Sequence, residues 1–330
     1  HILVDDSVRA LEALAHAARE RVQARIVGVT GSVGKTGVKE AIFAALDRSS
    51  RGGAHRSVKS YNNHVGVPLS LARMPLHVGY GIFEMGMNHA GEITGLTRQV
   101  RPHVAVITTI APAHIENLGS EEAIADAKAE IFEGLLPGGT AVIPADSPYF
   151  SRLRDAALAL DVNVVSFGTA AFADVRLLDS VPATNGGSLV TADMGDTRIC
   201  YTVAAGGDHG IMNSLAVRAA VRAVGGDLGA AGLSLAEMEG LVGRGARHQI
   251  SLPDGGSALL IDESYNANPA SMRATLAQLS ATPATRRIAV LGAMKELGDF
   301  TPGFHAALAE PLAASGVQFA LLVGPEMEAL

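Results

Sequence analysis

Short apolar runs alternate with longer segments whose apolar residues recur every three or four positions, and this alternation organises most of the chain. Residues 1–24 place Val8, Leu11, Leu14, Ala15 and Ala18 on one helical stripe, with Asp6 or Ser7 positioned to cap it. β-rich runs fall at 25–30, 79–84, 104–110, 140–143 and 163–167, and helical patterns at 35–46, 121–135 and 147–160. Strands separated by helices of this length predict a doubly wound, mostly parallel α/β sheet.

The pattern changes at 170–205. Short runs there flank Asn185-Gly186-Gly187, a turn signal that predicts an antiparallel hairpin, and 197–203 reads as a further strand. Helical spacing returns at 212–224 and 234–242. Gly243-Arg244-Gly245-Ala246-Arg247 has the composition of a linker. A second βαβ series follows it: strand 258–261, helix 269–279, strand 287–291, helix 305–314 and strand 317–323. These spacings predict a larger unit over 25–247 and a second α/β unit over 248–330, with 1–24 leading into the first. Three strands are few beside a usual sheet of about 5–6. The second unit is therefore expected to be cut short at Leu330, and the start at His1 rather than Met suggests a fragment or a processed piece.

Composition narrows the classes. The 330 residues are 48% apolar and 18% charged, which suits packed cores and not a disordered chain. A net charge of −7, without a basic tail or stripe, argues against a nucleic-acid partner. No apolar run reaches the ~18 residues of a membrane span, and no signal peptide is visible. The single cysteine, Cys200, excludes an intrachain disulfide, fits a reducing cytoplasm and is expected to pack within its strand.

The strongest chemical signal is Thr30-Gly31-Ser32-Val33-Gly34-Lys35-Thr36, set between the run at 25–30 and the helix from 35. The strict pattern G-x-x-x-x-G-K-[ST] is not met, because five residues separate Gly28 from Gly34 and two separate Gly31 from Gly34. The strand–turn–helix context makes it a variant nucleotide-triphosphate loop. Its glycines let backbone N–H groups wrap a phosphate, and the helix N-terminus adds partial positive charge. Lys35 is expected to neutralise the β- and γ-phosphates and Thr36 to coordinate Mg²⁺.

Ligands in open α/β sheets gather at the carboxyl ends of strands. Glu84 closes the run at 79–84 and is either a metal-binding carboxylate beside Thr36 or an exposed loop residue. His114 follows 104–110, where a metal or phosphate role competes with a structural one. Lys128, among Ala125, Ala127, Ala129 and Ile131, reads on its own as a snorkelling surface residue. Asn62 and Asn63 either orient a polar substrate or build turns. The polar loop 262–269 follows a strand of the second unit and predicts a ligand bridging the two units.

Taken in order, TGSVGKT (30–36), YNNHVGVP (61–68), FEMGMNHAGE (83–92), AHIE (113–116), AKAEIFEGL (127–135), SYNANPASM (264–272) and GAMKELGD (292–299) resemble the Mur ligase family from about residue 3 to the end. The FEMGMNHAGE and SYNANP blocks are similar to the branch that joins D-alanyl-D-alanine to a UDP-N-acetylmuramoyl-tripeptide. The alternative is another Mur-type or folylpolyglutamate-type ligase adding a single amino acid. The resemblance implies a central phosphate-loop ATPase domain, a Rossmann-like C-terminal domain, and 1–24 as the remnant of an N-terminal uridine-nucleotide domain. It also implies ATP and Mg²⁺ as cofactors, an acyl-phosphate intermediate, and a cytoplasmic monomer serving peptidoglycan precursor synthesis.

By the same resemblance, Thr30, Gly31, Ser32, Val33, Gly34, Lys35 and Thr36 bind ATP together with Asn213, Arg244 or Arg247, and Glu263. Thr36 and Glu84 hold one Mg²⁺ and His114 helps to hold a second, with Lys128 a further metal ligand if it is carbamylated, which reverses the surface reading of that lysine. Lys35, His114 and Lys128 are the implied catalytic residues. Asn62, Asn63, Asn88, Ser264, Asn266 and Asn268 are the implied substrate contacts. Gly210 stands where the family often has Asn, and Glu263 where it often has Asp.

Overall fold

The computed structural model describes residues 3–183, 187–238, 240–253 and 255–330. Helix α1 (Ser7–Arg21) is capped by Asp6, whose carboxylate accepts from the N–H groups of Val8 and Arg9. The alternation read from the sequence follows: β1 (Arg25–Thr30), α2 (Lys35–Ser50), β2 (Ala54–Arg56), α3 (Gly66–Ala72), β3 (Tyr80–Glu84), α4 (Glu92–Val100), β4 (Val104–Ile107), α5 (Ile115–Leu118), α6 (Glu121–Ala129), β5 (Thr140–Pro144), α7 (Phe150–Leu158) and β6 (Asn163–Gly168). Next come β7 (Val175–Ala183), β8 (Gly187–Asp193), β9 (Arg198–Val203), α8 (Gly207–Ala223) and α9 (Leu228–Glu237). The last part holds β10 (Ala246–Ser251), β11 (Ser257–Asp262), α10 (Pro269–Ala281), β12 (Ile288–Gly292), α11 (Thr301–Ala306), α12 (Ala309–Ala314) and β13 (Phe319–Val323).

Among the described residues one nine-stranded sheet runs in the order β2-β3-β1-β4-β5-β6-β7-β8-β9. Strands β2 to β7 are parallel, and β8 and β9 extend the sheet antiparallel. Asn185 and Gly186 of the expected turn lie outside the described residues, but the strands on either side pair antiparallel with Ala183 opposite Gly187. Successive residues of the central strands point to opposite faces. Ile26, Phe83, Ala105 and Ile107 join a core under α1, α3, α4, α6 and α7, whereas Val27, Val29, Ile82 and Val106 join a second core under α2, α8 and α9. A sheet covered on both faces needs the near-continuous apolar strands seen in the sequence.

Several expected boundaries move, each for a local reason. The run at 104–110 ends as a strand at Ile107, because Thr108 and Thr109 turn to the phosphate loop: the Thr108 N–H donates to the Thr30 carbonyl, and the Ser32 N–H to the Thr109 carbonyl. The helix expected over 121–135 stops at Ala129 and tightens into a 3₁₀ turn at Glu130–Gly134. There the Glu130 carboxylate accepts from the Gly91 and Thr94 N–H groups at the start of α4. The helix expected at 305–314 is split into α11 and α12, and Pro311, which lacks the N–H that would reach Ala307, sits in the first turn of α12. The segment expected as a linker already contributes Ala246 and Arg247 to β10. Strand β11 does not open a parallel series. It pairs antiparallel with β10, across a connection holding Pro253, Gly255 and Gly256, while β12 and β13 pair parallel in a sheet of their own. Cys200 is exposed rather than packed, since Tyr201 and Val203 are the β9 residues that face the core. No helix among the described residues is long and apolar enough to cross a membrane.

Candidate active site

The loop between β1 and α2 is shaped by two glycines that nothing else can replace. Gly31 lies at φ +147°, and a Cβ there would meet the Thr108 hydroxyl at 1.9 Å. Gly34 lies at φ +88° as the residue capping α2, and a Cβ there would meet the Asn213 amide at 2.9 Å. The backbone therefore curls close to its neighbours, with the N–H groups of the first turn of α2 left for an anion. Thr108 Oγ1 donates to the Val33 carbonyl at 2.5 Å, and Ser32 Oγ donates to the Ala111 carbonyl at 2.8 Å. The Thr30 hydroxyl is buried and has no partner among the described residues. Lys35 folds back so that its ammonium donates to the Gly31 carbonyl at 2.7 Å. Burial lowers its pKa, Glu84 opposes that shift, and Arg244 adds to it.

At the carboxyl end of β3, Glu84 is fully buried rather than exposed. Its carboxylate accepts from Thr36 Oγ1 at 2.8 Å and from Asn62 Nδ2 at 2.8 Å. A buried carboxylate beside a hydroxyl, at the mouth of a phosphate cradle, is the oxygen donor set that Mg²⁺ takes together with phosphates and water. Among the described residues no cluster of three His, Cys, Asp or Glu side chains exists. The donors present thus suit Mg²⁺ carried in by a nucleotide, not a closed all-protein metal cage.

His114 has a positive φ of 63° at the start of α5 and lines the same cavity. Its Nδ1 contacts the Glu296 carboxylate of the 293–299 loop. Burial holds its pKa below the ordinary histidine value, with Lys35 and Lys128 acting the same way and Glu296 against it. Lys128 is only 2% exposed, which removes the reading as a snorkelling surface residue. Its side chain makes no hydrogen bond or ion pair with any described residue. Burial first, and then Lys35, hold its pKa well below 10.5.

One cavity of about 350 Å³ joins these groups to the second unit. The central unit supplies Ser32, Val33, Gly34, Lys35, Asn62, Glu84, Asn88, His114, Lys128 and Asn213. Arg244, Glu263, Asn266 and Asn268 close the other side. The Arg244 guanidinium stacks 4.0 Å over the Tyr265 ring, and the Tyr265 hydroxyl reaches the Ser60 hydroxyl across the cleft. Burial raises the pKa of Glu263 against the pull of Arg244.

Some expected residues stand apart from this cavity. Asn63 builds a turn, its Oδ1 accepting from the Val65 and Gly66 N–H groups. Ser264 is drawn onto Asp262 Oδ1 at 2.6 Å. Arg247 is exposed on β10, so Arg244 is the arginine of the pair that lines the cavity. Asn268 lines it but also caps α10, accepting from the Ala270 and Ser271 N–H groups. Ser60, His209, Tyr265 and Glu296 are site residues that no role assigned from the sequence covered. Tyr265 and Glu296 lay inside quoted motifs, whereas Ser60 and His209 carry no local signal.

The family comparisons agree with this geometry. Residues 29–221 match the Mur ligase middle domain, and residues 247–330 the Mur ligase, glutamate ligase domain. The chain is 35% identical to the UDP-N-acetylmuramoyl-tripeptide--D-alanyl-D-alanine ligase of Bacillus subtilis, covering 92% of this chain and 64% of that relative. It is 33% identical to the ligase of the same name from Escherichia coli, covering 100% of this chain and 71% of that one. In three dimensions it resembles MurF from Acinetobacter baumannii at a TM-score of 0.90 and 30% identity, covering 99% of this chain and 70% of that structure. MurF ligase from Thermotoga maritima in complex with ADP superposes at a TM-score of 0.85 and 27% identity, covering 99% and 73%. The chain thus spans roughly two thirds of the length of these relatives, from 64% to 73%. With both domain models matched on either side of a phosphate-loop cavity, the chain belongs to the Mur ligase family.

Proposed function

We propose that the chain performs ATP-dependent amide ligation, joining D-alanyl-D-alanine to a UDP-N-acetylmuramoyl-tripeptide during peptidoglycan precursor synthesis. The observation that carries this reading is the single cavity lined by the phosphate loop on one side and by the Glu263–Ser271 loop of the second unit on the other. A reaction between ATP and two further substrates requires such a shared chamber. The names of the most similar relatives point the same way.

A carboxylate oxygen of the tripeptide attacks the γ-phosphorus of ATP, ADP leaves, and an acyl phosphate forms. The dipeptide amine then attacks the acyl carbon and loses a proton, and the tetrahedral intermediate expels inorganic phosphate. Chemistry of this kind asks the protein for positioning and charge neutralisation more than for covalent steps. Lys35 leaves the Gly31 carbonyl and neutralises the β- and γ-phosphates. Thr36 and Glu84 would hold one Mg²⁺ and His114 would help to hold a second, and these ions would supply further neutralisation at the phosphates. Burial, and then Lys35, lower the pKa of Lys128 and so favour its unprotonated amine, the form that adds CO₂; the resulting carbamate would be an anion able to join the metal ligands. Asn213 contacts adenine, Arg244 the γ-phosphate, and Glu263 the ribose or phosphates. Asn62, Asn88 and Asn266 are the polar groups offered to the remaining substrates. The reading includes a cytoplasmic monomer, where ATP and sugar nucleotides are available.

The test is a mass-spectrometric product assay on the full-length natural protein with ATP, Mg²⁺, the tripeptide sugar nucleotide, and either D-alanyl-D-alanine or single amino acids, with Lys35→Ala as control. A product heavier by the dehydrated dipeptide, absent in the control, is expected. A product with a single amino acid alone moves the chain to another branch of the family, and hydrolysis without condensation refutes ligation.

A further inference from the structure

Two residues other than glycine face each other across the two units in left-handed backbone conformations, His114 at φ 63° and Glu296 at φ 61°. Such conformations are strained for side chains with a Cβ and persist where the surroundings enforce them. Here the surroundings do. The Glu116 N–H donates to the Glu296 carbonyl at 3.3 Å, so backbone joins backbone directly beside the two side chains. A Cβ on Gly298 would come within 3.0 Å of Glu116, so the loop lies flush against α5. Met294 and Leu297, on either side of the contact, are buried at 1% exposure in the same core as Ile115. The Glu296 carboxylate is thereby delivered to His114 Nδ1, a buried ring nitrogen otherwise without a partner among the described residues.

We propose that Glu296 is a positioning residue: it holds the proton of His114 on Nδ1 and the ring in its turn, leaving Nε2 free to ligate the metal of the bound nucleotide. A neutral imidazole has one donor and one acceptor nitrogen, and a carboxylate at one edge selects the tautomer that offers the other edge to a metal. Because Glu296 belongs to the second unit and His114 to the first, metal binding then depends on docking of the 293–299 loop. This rests on the reading of His114 as a metal ligand, but it assigns a role to a residue outside that ligand set.

Calorimetric titration on the 330-residue chain separates the possibilities. Mn²⁺ is added to the ADP-saturated protein, and ADP is titrated separately without metal. Glu296→Ala is expected to weaken Mn²⁺ binding about 10–100-fold, the usual effect of losing such a partner, while metal-free ADP binding stays within about twofold. Glu296→Gln, which keeps an acceptor oxygen, is expected to recover most of the loss. Combining Glu296→Ala with His114→Ala should add nothing beyond His114→Ala alone. Unchanged Mn²⁺ affinity in Glu296→Ala, or fully additive losses, overturns the proposal. Parallel loss of metal-free ADP binding in both Glu296 variants also overturns it, because simple undocking then accounts for the effect. A natural chain that binds neither ADP nor Mn²⁺ refutes the nucleotide reading instead.

Discussion

Lys128 places an amine in the cavity wall with no ion-pair or hydrogen-bond partner among the described residues. Its burial and the nearby Lys35 depress its pKa well below 10.5, so between that lowered value and 10.5 the folded chain binds fewer protons here than the unfolded chain. Stability attributable to this group therefore rises with pH through that window and is lowest on its acid side. Lys128→Met removes the penalty at similar volume. The variant is expected to be the more stable protein at neutral pH, with its advantage shrinking by up to about 1.4 kcal/mol per pH unit toward pH 10. Denaturant melts from pH 7 to 10, freed of carbon dioxide, measure this, and a pH-independent gap would count against a neutral buried amine. Added bicarbonate should stabilise the natural chain alone, because a carbamate places a negative charge beside the Lys35 ammonium.

Helix α2 does more than present the phosphate loop. Lys39, fully buried on its inner side, donates to the Ser57 carbonyl at 2.9 Å and to the Lys59 carbonyl, and pairs with Glu40 at 2.8 Å. It ties the helix to the segment that carries Ser60 and Asn62. Lys39→Met leaves the Ser57 and Lys59 carbonyls without their donor, while Glu40 keeps Arg56 at 2.7 Å, and is expected to cost about 3 kcal/mol. Chemical denaturation measures that loss. Hydrogen exchange should show the added opening concentrated at 57–62, and exchange raised uniformly along the chain would contradict a local clamp. The legibility of the molecule divides at this same level. Strands β1, β3, β4, β5 and β6 and helix α2 could be read because apolar runs and glycine punctuation are local properties. The phosphate loop was legible as a motif and the place of Glu84 from its strand end, whereas the residues alone left Asn62 open between a substrate contact and a turn. Lys128 could not be read from periodicity, since a lysine among alanines looks alike on either face until the sheet is placed beneath it. Nor could β10 be recognised, since its polar, exposed residues form a strand only because β11 lies opposite. Asn63 and Ser264 share composition with their cavity-lining neighbours and differ only in the local partners they meet, the Val65 and Gly66 N–H groups for Asn63 and the Asp262 carboxylate for Ser264.

At the scale of the whole molecule, the second unit is held by two kinds of contact with different consequences. Ser60, Arg244 and Tyr265 meet across the cavity through polar groups, whereas Met294, Leu297 and Leu308 enter the core shared with Ile107, Ile115 and Ile124. Apolar burial supplies most of the docking free energy, because each side chain of this size withdrawn from water contributes on the order of 2 kcal/mol. Leu297→Ala is therefore expected to cost roughly 3 kcal/mol, a truncation penalty that falls almost wholly on the junction. The natural chain should unfold in one calorimetric transition, and the variant in two, as the C-terminal unit loses its hold on the larger one. ADP with Mg²⁺ should draw the two transitions back together, since a ligand in a cavity lined by both units favours their docked arrangement. A variant that still melts once, at a lower temperature and with its full enthalpy, would mean that residues 247–330 have no stability of their own. Leu297 would then belong to a single cooperative core, and docking could not serve as a switch for the metal site.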